Sequence, residues 1–244
     1  MKATLRIRRF QPQRSSDPYW QEFEVQWEPG KVVLYALHDI HERVDGSLAY
    51  RYSCRGAICG SCAVRINGAA ALACKTQFQA LDTSRPIVLE PLLNMPVVRD
   101  LVVDHGPFFA SIRTILPYLS DKARDGGAPF TLDRTMDRPH RDQYLRSTDC
   151  ILCQSCFSDC PKRREDPSFE GPATCLAMYK RVYHPQEEDP AGRLRRAAGP
   201  GGVFACDQNT NCNRVCPKNC LPLRAIMLLR FRAKAEGLAP DEAP

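Results

Sequence analysis

The sequence predicts an α+β protein: a small mixed sheet folded over one helix, followed by short helices wrapped around metal. Three observations carry this expectation. The N-terminal segments alternate apolar and polar residues, as half-buried strands do. From Val33 onward the apolar positions recur at helical spacing. Among the 244 residues are 13 cysteines, eleven of them gathered in three runs, and two of those runs lie in the C-terminal half.

Thr4–Phe10 and Glu22–Trp27 read as the first two strands, with Leu5, Ile7, Phe23, Val25 and Trp27 on their buried faces. The polar segment Gln11–Tyr19 joins them as a hairpin loop. Val33, Leu34, Leu37, Ile40 and Val44 mark one face of a helix. Ala63–Ile66 is a short strand, and Asn67-Gly68 signals a hairpin because both positions tolerate φ > 0. Ile87 and Leu89 mark a last strand. These elements define a domain over residues 1–105, and residues 106–244 form a second. In that second part, Ser120–Arg146 is rich in charge, Pro and Gly and reads as loop. Pro172–His184 carries Ala173, Leu176, Ala177 and Val182 on a helical face, and Leu223–Ala235 carries Leu223, Ile226, Met227 and Arg230. Gln186–Gly202 reads as a polar excursion between them, and Gly237–Pro244 as a disordered tail.

Composition narrows the function classes. Hydrophobic residues make up 43% of the chain, ordinary for a globular protein. The longest apolar stretches, 87–98 and 226–231, are interrupted by Glu90, Asn94 and Arg230, so no membrane-spanning helix is expected. Met1–Arg8 alternates like a strand and lacks the apolar core of a signal peptide. A soluble, intracellular chain is the expectation. An odd number of cysteines with no export signal reads as metal binding rather than disulfides. The net charge of +6 counts every thiol as neutral. Formal counting gives about −2 for each oxidised iron–sulfur cluster with its thiolates, so three clusters nearly cancel that excess. No nucleic-acid partner is expected.

The cysteine spacing carries the chemistry. The first run, Cys54-x4-Cys59-x2-Cys62-x11-Cys74, has the plant-type [2Fe–2S] pattern. Gly56 and Gly60 give its loop the backbone freedom to aim N–H groups at sulfur. A structural zinc site is the alternative, but zinc sites more often pair two CxxC knuckles. The second run, Cys150-x2-Cys153-x2-Cys156-x3-Cys160-Pro161, has the bacterial two-cluster pattern. The third, Cys206-x5-Cys212-x3-Cys216-Pro217, has that pattern with one ligand missing.

In two-cluster ferredoxins the fourth cysteine of each run ligates the other cluster. On that rule Cys150, Cys153, Cys156 and Cys216 hold a [4Fe–4S] cluster, and Cys160, Cys206 and Cys212 hold the other. The prolines after Cys160 and Cys216 fix φ and end the local helical run. Asn209 stands where a complete run would place cysteine. An iron without a thiolate is easily lost, which gives [3Fe–4S]; a four-iron cluster with water or another donor on its fourth iron is the alternative. Fewer thiolates usually accompany a higher potential. Cys175 reads as a small buried hydrophobe, and Cys220 as a free thiol near the cluster. His38 and His41 fall on the polar side of the predicted helix and read as solvated. His105, His140 and His184 lie in or beside loops, without ligand spacing. With no Gly-rich dinucleotide motif and no nucleophile–base constellation, no catalytic residue is assigned. Chemistry on an organic substrate belongs elsewhere.

These runs, in this order, resemble the iron–sulfur subunit of succinate dehydrogenase and fumarate reductase. The resemblance also rests on Ser53-Cys54-Arg55, Ile58-Cys59-Gly60-Ser61-Cys62, Leu72-Ala73-Cys74, Met95–Asp104, Phe169-Glu170-Gly171-Pro172-Ala173 and Cys216-Pro217-Lys218. It implies a β-grasp [2Fe–2S] ferredoxin domain followed by an all-α helical ferredoxin domain. It implies a flavoprotein partner with covalent FAD and membrane-anchor partners with a quinone site near the [3Fe–4S] cluster. Electrons would pass from FADH₂ through the [2Fe–2S], [4Fe–4S] and [3Fe–4S] centres to quinone, or in reverse in a fumarate reductase. The chain would then sit peripherally on the cytoplasmic face of the inner (plasma) membrane, held by the anchor subunits. Arg164 stands where many quinone-reducing members have a quinone-contacting Trp, and Asp207 where His often follows the Cys. These departures point away from a ubiquinone-type pocket, toward menaquinone or a rearranged site using Pro161 and Lys218. Two readings compete. A subunit of a soluble thiol-dependent fumarate reductase would often carry further cysteine-rich modules after the point where this chain stops. A zinc-stabilised nucleic-acid-binding protein is disfavoured by the spacings and by an aromatic content of 8%.

Overall fold

A computed structural model describes residues 1–14, 16–116, 118, 138–185 and 187–239. Its contacts resolve into two compact units. The first comprises Met1–Pro107, Ile151–Asp159 and Val215–Pro217; the second comprises Phe108–Cys150, Cys160–Arg214 and Lys218–Pro244.

In the first unit, β1 (Lys2–Arg9) and β2 (Tyr19–Gln26) pair antiparallel from Lys2↔Gln26 to Arg9↔Tyr19. The ladder begins before the alternating stripe does, because backbone pairing needs no apolar side chain. Then come α1 (Val33–Arg43), β3 (Ala63–Ile66), β4 (Ala69–Leu72) and β5 (Ile87–Glu90). The strand order is β2-β1-β5-β3-β4, with β1 and β5 parallel and the other pairs antiparallel. The helix α1 buries Val33, Leu34, Ala36, Leu37 and Ile40, and packs on β2. Leu5, Ile7, Phe23, Val25, Ile66 and Leu89 fill the core beside it. Each large apolar side chain so buried contributes about 1.5–3 kcal/mol. Val44 departs from expectation: the helix stops at Arg43, and Val44 is its 67% exposed cap. Trp27 is half-buried and stacks on Phe78 with ring centroids 5.7 Å apart. Between β3 and β4, Asn67 and Gly68 take φ of 49° and 84°, the left-handed pair a two-residue hairpin requires. A separate ladder joins β6 (Val97–Arg99) to β7 (Val102–Val103).

Arg9 holds this unit's loops together from inside. Its side chain is wholly buried. It donates to Asp100 Oδ1 at 3.0 Å, Asp45 Oδ2 at 2.7 Å and Ser47 Oγ at 2.9 Å. Asp100 also accepts from the Phe10 and Ala49 N–H groups, at 2.9 and 2.8 Å. A buried charge is tolerated only when it is paired and hydrogen-bonded in this way.

Among the described residues the remaining α-helices are α2 (Gly106–Arg113), α3 (Arg138–Thr148), α4 (Ser155–Ser158), α5 (Pro161–Glu165), α6 (Pro172–Val182), α7 (Pro190–Ala198), α8 (Asn211–Arg214) and α9 (Pro222–Ala235). Proline opens α5, α6, α7 and α9, where its missing N–H costs nothing. In the second unit α6 is buried on nearly every side, and α3, α7 and α9 pack around it.

Two sequence expectations change here. Within Ser120–Arg146, residues 120–137 lie outside the described residues, but 138–146 are helical rather than loop. Among the described side chains of α3, Tyr144 and Ser147 are buried, and the helix packs against α6. The excursion Gln186–Gly202 contains α7, started by an Asp189 cap that accepts from Gly192 N at 2.8 Å. The expected disordered tail lies, from residue 240, outside the described residues. Among the described residues, no helix is long and apolar enough to cross a membrane.

Irregular chain in this unit finds hydrogen-bond partners in arginine. Arg193 donates to the carbonyls of Ile115, Leu116 and Tyr118 at 2.7–2.9 Å. Arg230 donates to those of Val203, Phe204 and Cys206. Carbonyls outside regular ladders need such partners wherever water is excluded.

Candidate metal centres

The first site is the loop from Cys54 to Cys62, with Cys74 following β4. Arg55 and Ala57 take φ of 57° and 56°, and Gly60 takes 74°. Gly56, expected to be special, does not lie in the left-handed region; two residues with side chains do so instead, at a cost of order 1 kcal/mol each. That winding turns consecutive N–H groups inward. Gly56, Ile58 and Cys59 donate to Cys54 Sγ at 3.4, 3.3 and 3.2 Å. Cys54 N donates to Cys59 Sγ, and Cys74 N to Cys62 Sγ, both at 3.5 Å. A concavity of backbone N–H groups of this kind accommodates negative charge and recurs at iron–sulfur sites. The donor set therefore fits thiolate-held cluster iron.

The four thiols differ in setting. Cys54 and Cys59 are exposed and Cys62 is buried. Partial burial of Cys59 opposes ionisation, but hydrogen bonds from Ser61 and the Cys54 backbone outweigh it and bring the thiol down to about 6. Burial pushes Cys62 up to about 12, so it keeps its proton until metal takes the proton's place.

The same left-handed winding recurs at the other runs without any glycine. Leu152 and Gln154, at φ of 53° and 68°, flank Cys153. Gln208 and Thr210, at 63° and 65°, lie between Cys206 and Cys212, and Gln208 N donates to Cys206 Sγ at 3.3 Å. Residue type gives no hint of this, and the sequence reading missed all four.

Cys160, Cys206 and Cys212 are brought together in the second unit, within each other's electrostatic reach. Burial pushes all three thiols up, Cys212 to about 12. Cys175, fully buried on α6, lies within reach of the same three, a proximity its spacing did not reveal. Asn209 turns into its own loop: Nδ2 donates to Asp207 Oδ1 at 2.6 Å and Oδ1 accepts from Asn211 N at 3.1 Å.

Of the second set, Cys153, Cys156 and Cys216 belong to the first unit and Cys150 to the second. The segment Ile151–Asp159 is tied to the first unit's sheet and loops. Asp159 Oδ2 accepts from Ala70 N at 2.8 Å, and Ser158 Oγ accepts from Leu93 N at 2.9 Å. Asn94 Nδ2 donates to the carbonyls of Phe157 and Ser158 at 2.8 and 3.0 Å. Pro161 opens α5, and Lys218 follows Pro217; both are half-buried. Cys220 is buried against Leu176, Tyr179 and Ala225. Among the described residues, no three His, Cys, Asp or Glu side chains are close enough to share a single metal ion; a cluster spreads its thiolates over several irons.

The histidines correct one expectation. His38 is not solvated: its Nδ1 hydrogen-bonds Tyr50 Oη at 2.7 Å and its ring meets Tyr52 edge-on at 4.4 Å. Burial, then Arg55, lowers its pKa. His41 is exposed and reaches Leu48 O at 3.1 Å. His105 hydrogen-bonds Gln154 at 2.5 Å, and His184 meets Tyr144 edge-on at 5.4 Å. For His140, the side chain lies outside the described residues.

Known proteins resemble this chain in sequence and in fold. The model of a 2Fe-2S iron-sulfur cluster binding domain matches residues 4–110. The fumarate reductase iron-sulfur subunit of Haemophilus influenzae is 34% identical over 230 residues, 91% of this chain and 89% of that protein. The succinate dehydrogenase iron-sulfur subunit of Coxiella burnetii is 36% identical over 230 residues, 93% of this chain and 95% of that protein. A chain of the Mycobacterium smegmatis Sdh1 complex in the apo form matches with a TM-score of 0.86 at 24% identity, covering 99% of both chains. That last likeness bears out the two-part α+β fold. On residues, fold and full-length relatives together, the chain belongs to the family of iron–sulfur subunits of fumarate reductase and succinate dehydrogenase.

Proposed function

We propose that this chain is the electron relay of a succinate:quinone oxidoreductase, joining a flavoprotein partner with FAD, where succinate is oxidised, to a membrane-anchor partner where quinone is reduced. Residues 1–105 would be the [2Fe–2S] domain and 106–244 the helical domain. Cys54, Cys59, Cys62 and Cys74 would hold [2Fe–2S]. Cys150, Cys153, Cys156 and Cys216 would hold [4Fe–4S], and Cys160, Cys206 and Cys212 would hold [3Fe–4S]. Bound there, the clusters supply centres that accept and release one electron at a time. The protein's own part is to hold and insulate. N–H groups of the Cys54 loop stabilise negative charge at sulfur. Burial around Cys160, Cys206 and Cys212 excludes water. Both polar ends of Asn209 are occupied within its loop, which supports three irons rather than four at that site.

Arg164 and Asp207 favour menaquinone as acceptor, with Pro161 and Lys218 as its contacts, and attachment through the anchor to the cytoplasmic face of the inner membrane. Relatives working on fumarate and on succinate match at similar identity, and the same relay run in reverse serves fumarate reduction. The observations that carry the proposal are the left-handed winding repeated at each cysteine run and the backbone N–H groups that donate to Cys54, Cys59, Cys62 and Cys206. Iron and acid-labile sulfide analysis with low-temperature EPR during a redox titration tests it. One oxidised-state signal from a three-iron centre and two reduced-state signals are expected. A pale, sulfide-free protein after anaerobic preparation overturns the proposal, and four-iron signals at the last site overturn the role given to Asn209.

A further inference from the structure

We infer that Gly60 is a positioning residue that sets the separation of the first two centres, by letting the backbone of the Cys59–Cys62 loop lie directly on the backbone of Cys153. The inference rests on the proposed ligand roles of Cys59, Cys62 and Cys153. A Cβ built on Gly60 would meet Cys153 Cα at 2.8 Å, Cys153 Cβ at 2.8 Å and Cys153 N at 3.2 Å. Ordinary contact begins at 3.4 Å, so not even a methyl group fits. The two segments that touch here carry the proposed ligands of different centres.

The contact is clamped. Asp159 takes the Ala70 N–H at the free edge of β4, and Ser158 takes that of Leu93. Asn94 spans two carbonyls at the end of α4, and Gln154 is bonded to His105. Arg65 lies 3.6 Å from Asp159. With the segment pinned at both ends, a side chain at position 60 has to open the gap rather than slide past it. Transfer across the gap moves one electron and no atoms, and its rate falls steeply with distance.

A simpler reading is that position 60 needs only its left-handed φ of 74°. Gly60→Asn separates the two, because asparagine tolerates that φ but brings a side chain. The test uses the reduced holocomplex, with iron and sulfide content as the control for loading. The readouts are the magnetic dipolar coupling between the two reduced centres, which falls with the cube of their separation, and the rate of electron transfer between them after rapid reduction. Gly60→Asn is expected to keep both signals, weaken the coupling and slow transfer severalfold. Asn94→Gly, which adds no bulk, accepts the φ of 62° at that position and loosens the clamp, is expected to weaken the coupling in the same direction, and it decides the matter if Gly60→Asn fails to load. Unchanged coupling and rate in the loaded variants overturn the inference while leaving the proposed function standing. Absence of two reduced centres in the unaltered complex overturns the proposed function first and this inference with it.

Discussion

The Cys54 loop and the Cys160–Cys206–Cys212 site use the same ligand atom in opposite surroundings. The first presents Cys54 and Cys59 to solvent and stabilises negative sulfur with main-chain N–H groups. The other buries Cys160 and Cys212, leaves Cys206 half-buried, and has Arg230 reaching the Cys206 carbonyl to hold the loop. Their supporting frames differ in the same sense. The sheet unit neutralises its buried Arg9 with Asp45 and Asp100, whereas in the helical unit Arg193 and Arg230 each donate to three main-chain carbonyls, Arg193 pairing with Glu187 as well. A thiolate can thus be favoured by hydrogen bonds at an exposed site, or left unfavourable until metal arrives at a buried one.

The comparison breaks most visibly at the ligands themselves. Cys59→Ser should abolish or grossly alter the [2Fe–2S] signal and leave the three-iron signal and flavoprotein binding intact, while Cys212→Ser should do the converse; EPR that shows both signals lost together in either variant would deny that the sites are independent. Next comes reactivity in the metal-free protein. Cys59 should be alkylated at pH 7 at least about a hundredfold faster than Cys212, because the thiolate is what reacts. Its rate should fall as pH drops below about 6, where the thiol regains its proton. Mass-spectrometric mapping of labelled sites over time measures this, and equal rates would erase the contrast. Arg230→Met should cost about 3 kcal/mol, since it removes charged donors from three carbonyls. Urea midpoints should show that loss, and the three-iron signal should disappear before the [2Fe–2S] signal on warming. The smallest effect concerns Asp45, whose carboxyl is held well below the usual carboxylate range by hydrogen bonds from Arg9 and Ser47. The stability it contributes is fully present above about pH 4, the unfolded-state range, and is lost as pH falls toward its depressed folded value. Asp45→Asn should lose about 2 kcal/mol at pH 7 and show a flatter acid limb in unfolding curves.

Much of this was legible in the sequence, for definite reasons. Alternation marked β1 and β2, helical recurrence marked α1, α6 and α9, and Asn67-Gly68 marked its hairpin, because those patterns follow directly from which side chains face the core. The cysteine runs were legible because spacing is written in residue order. The missing parts have physical causes as well. Nothing about Arg55, Ala57, Leu152 or Gln208 as residue types announces φ > 0. Helix α7 buries only Leu194 and Ala197, too sparse to show a period, and the charged residues of α3 mask its apolar pattern. His38 looked solvated because the tyrosines that enclose it come from a later stretch of chain. The bond between Asp159 and Ala70 joins residues far apart in sequence, and no local pattern encodes it.

The first unit draws its material from three separate stretches, the last ending at Pro217. On a ribosome, its N-terminal sheet can form early, but the Ala70 edge waits for Asp159, and the Lys75 ammonium waits for the Pro217 carbonyl 2.9 Å from it. Synthesis must therefore have passed residue 217 before this half is whole. A nascent chain halted soon after residue 105 would expose an unpaired strand edge, open to chaperones and to neighbouring chains.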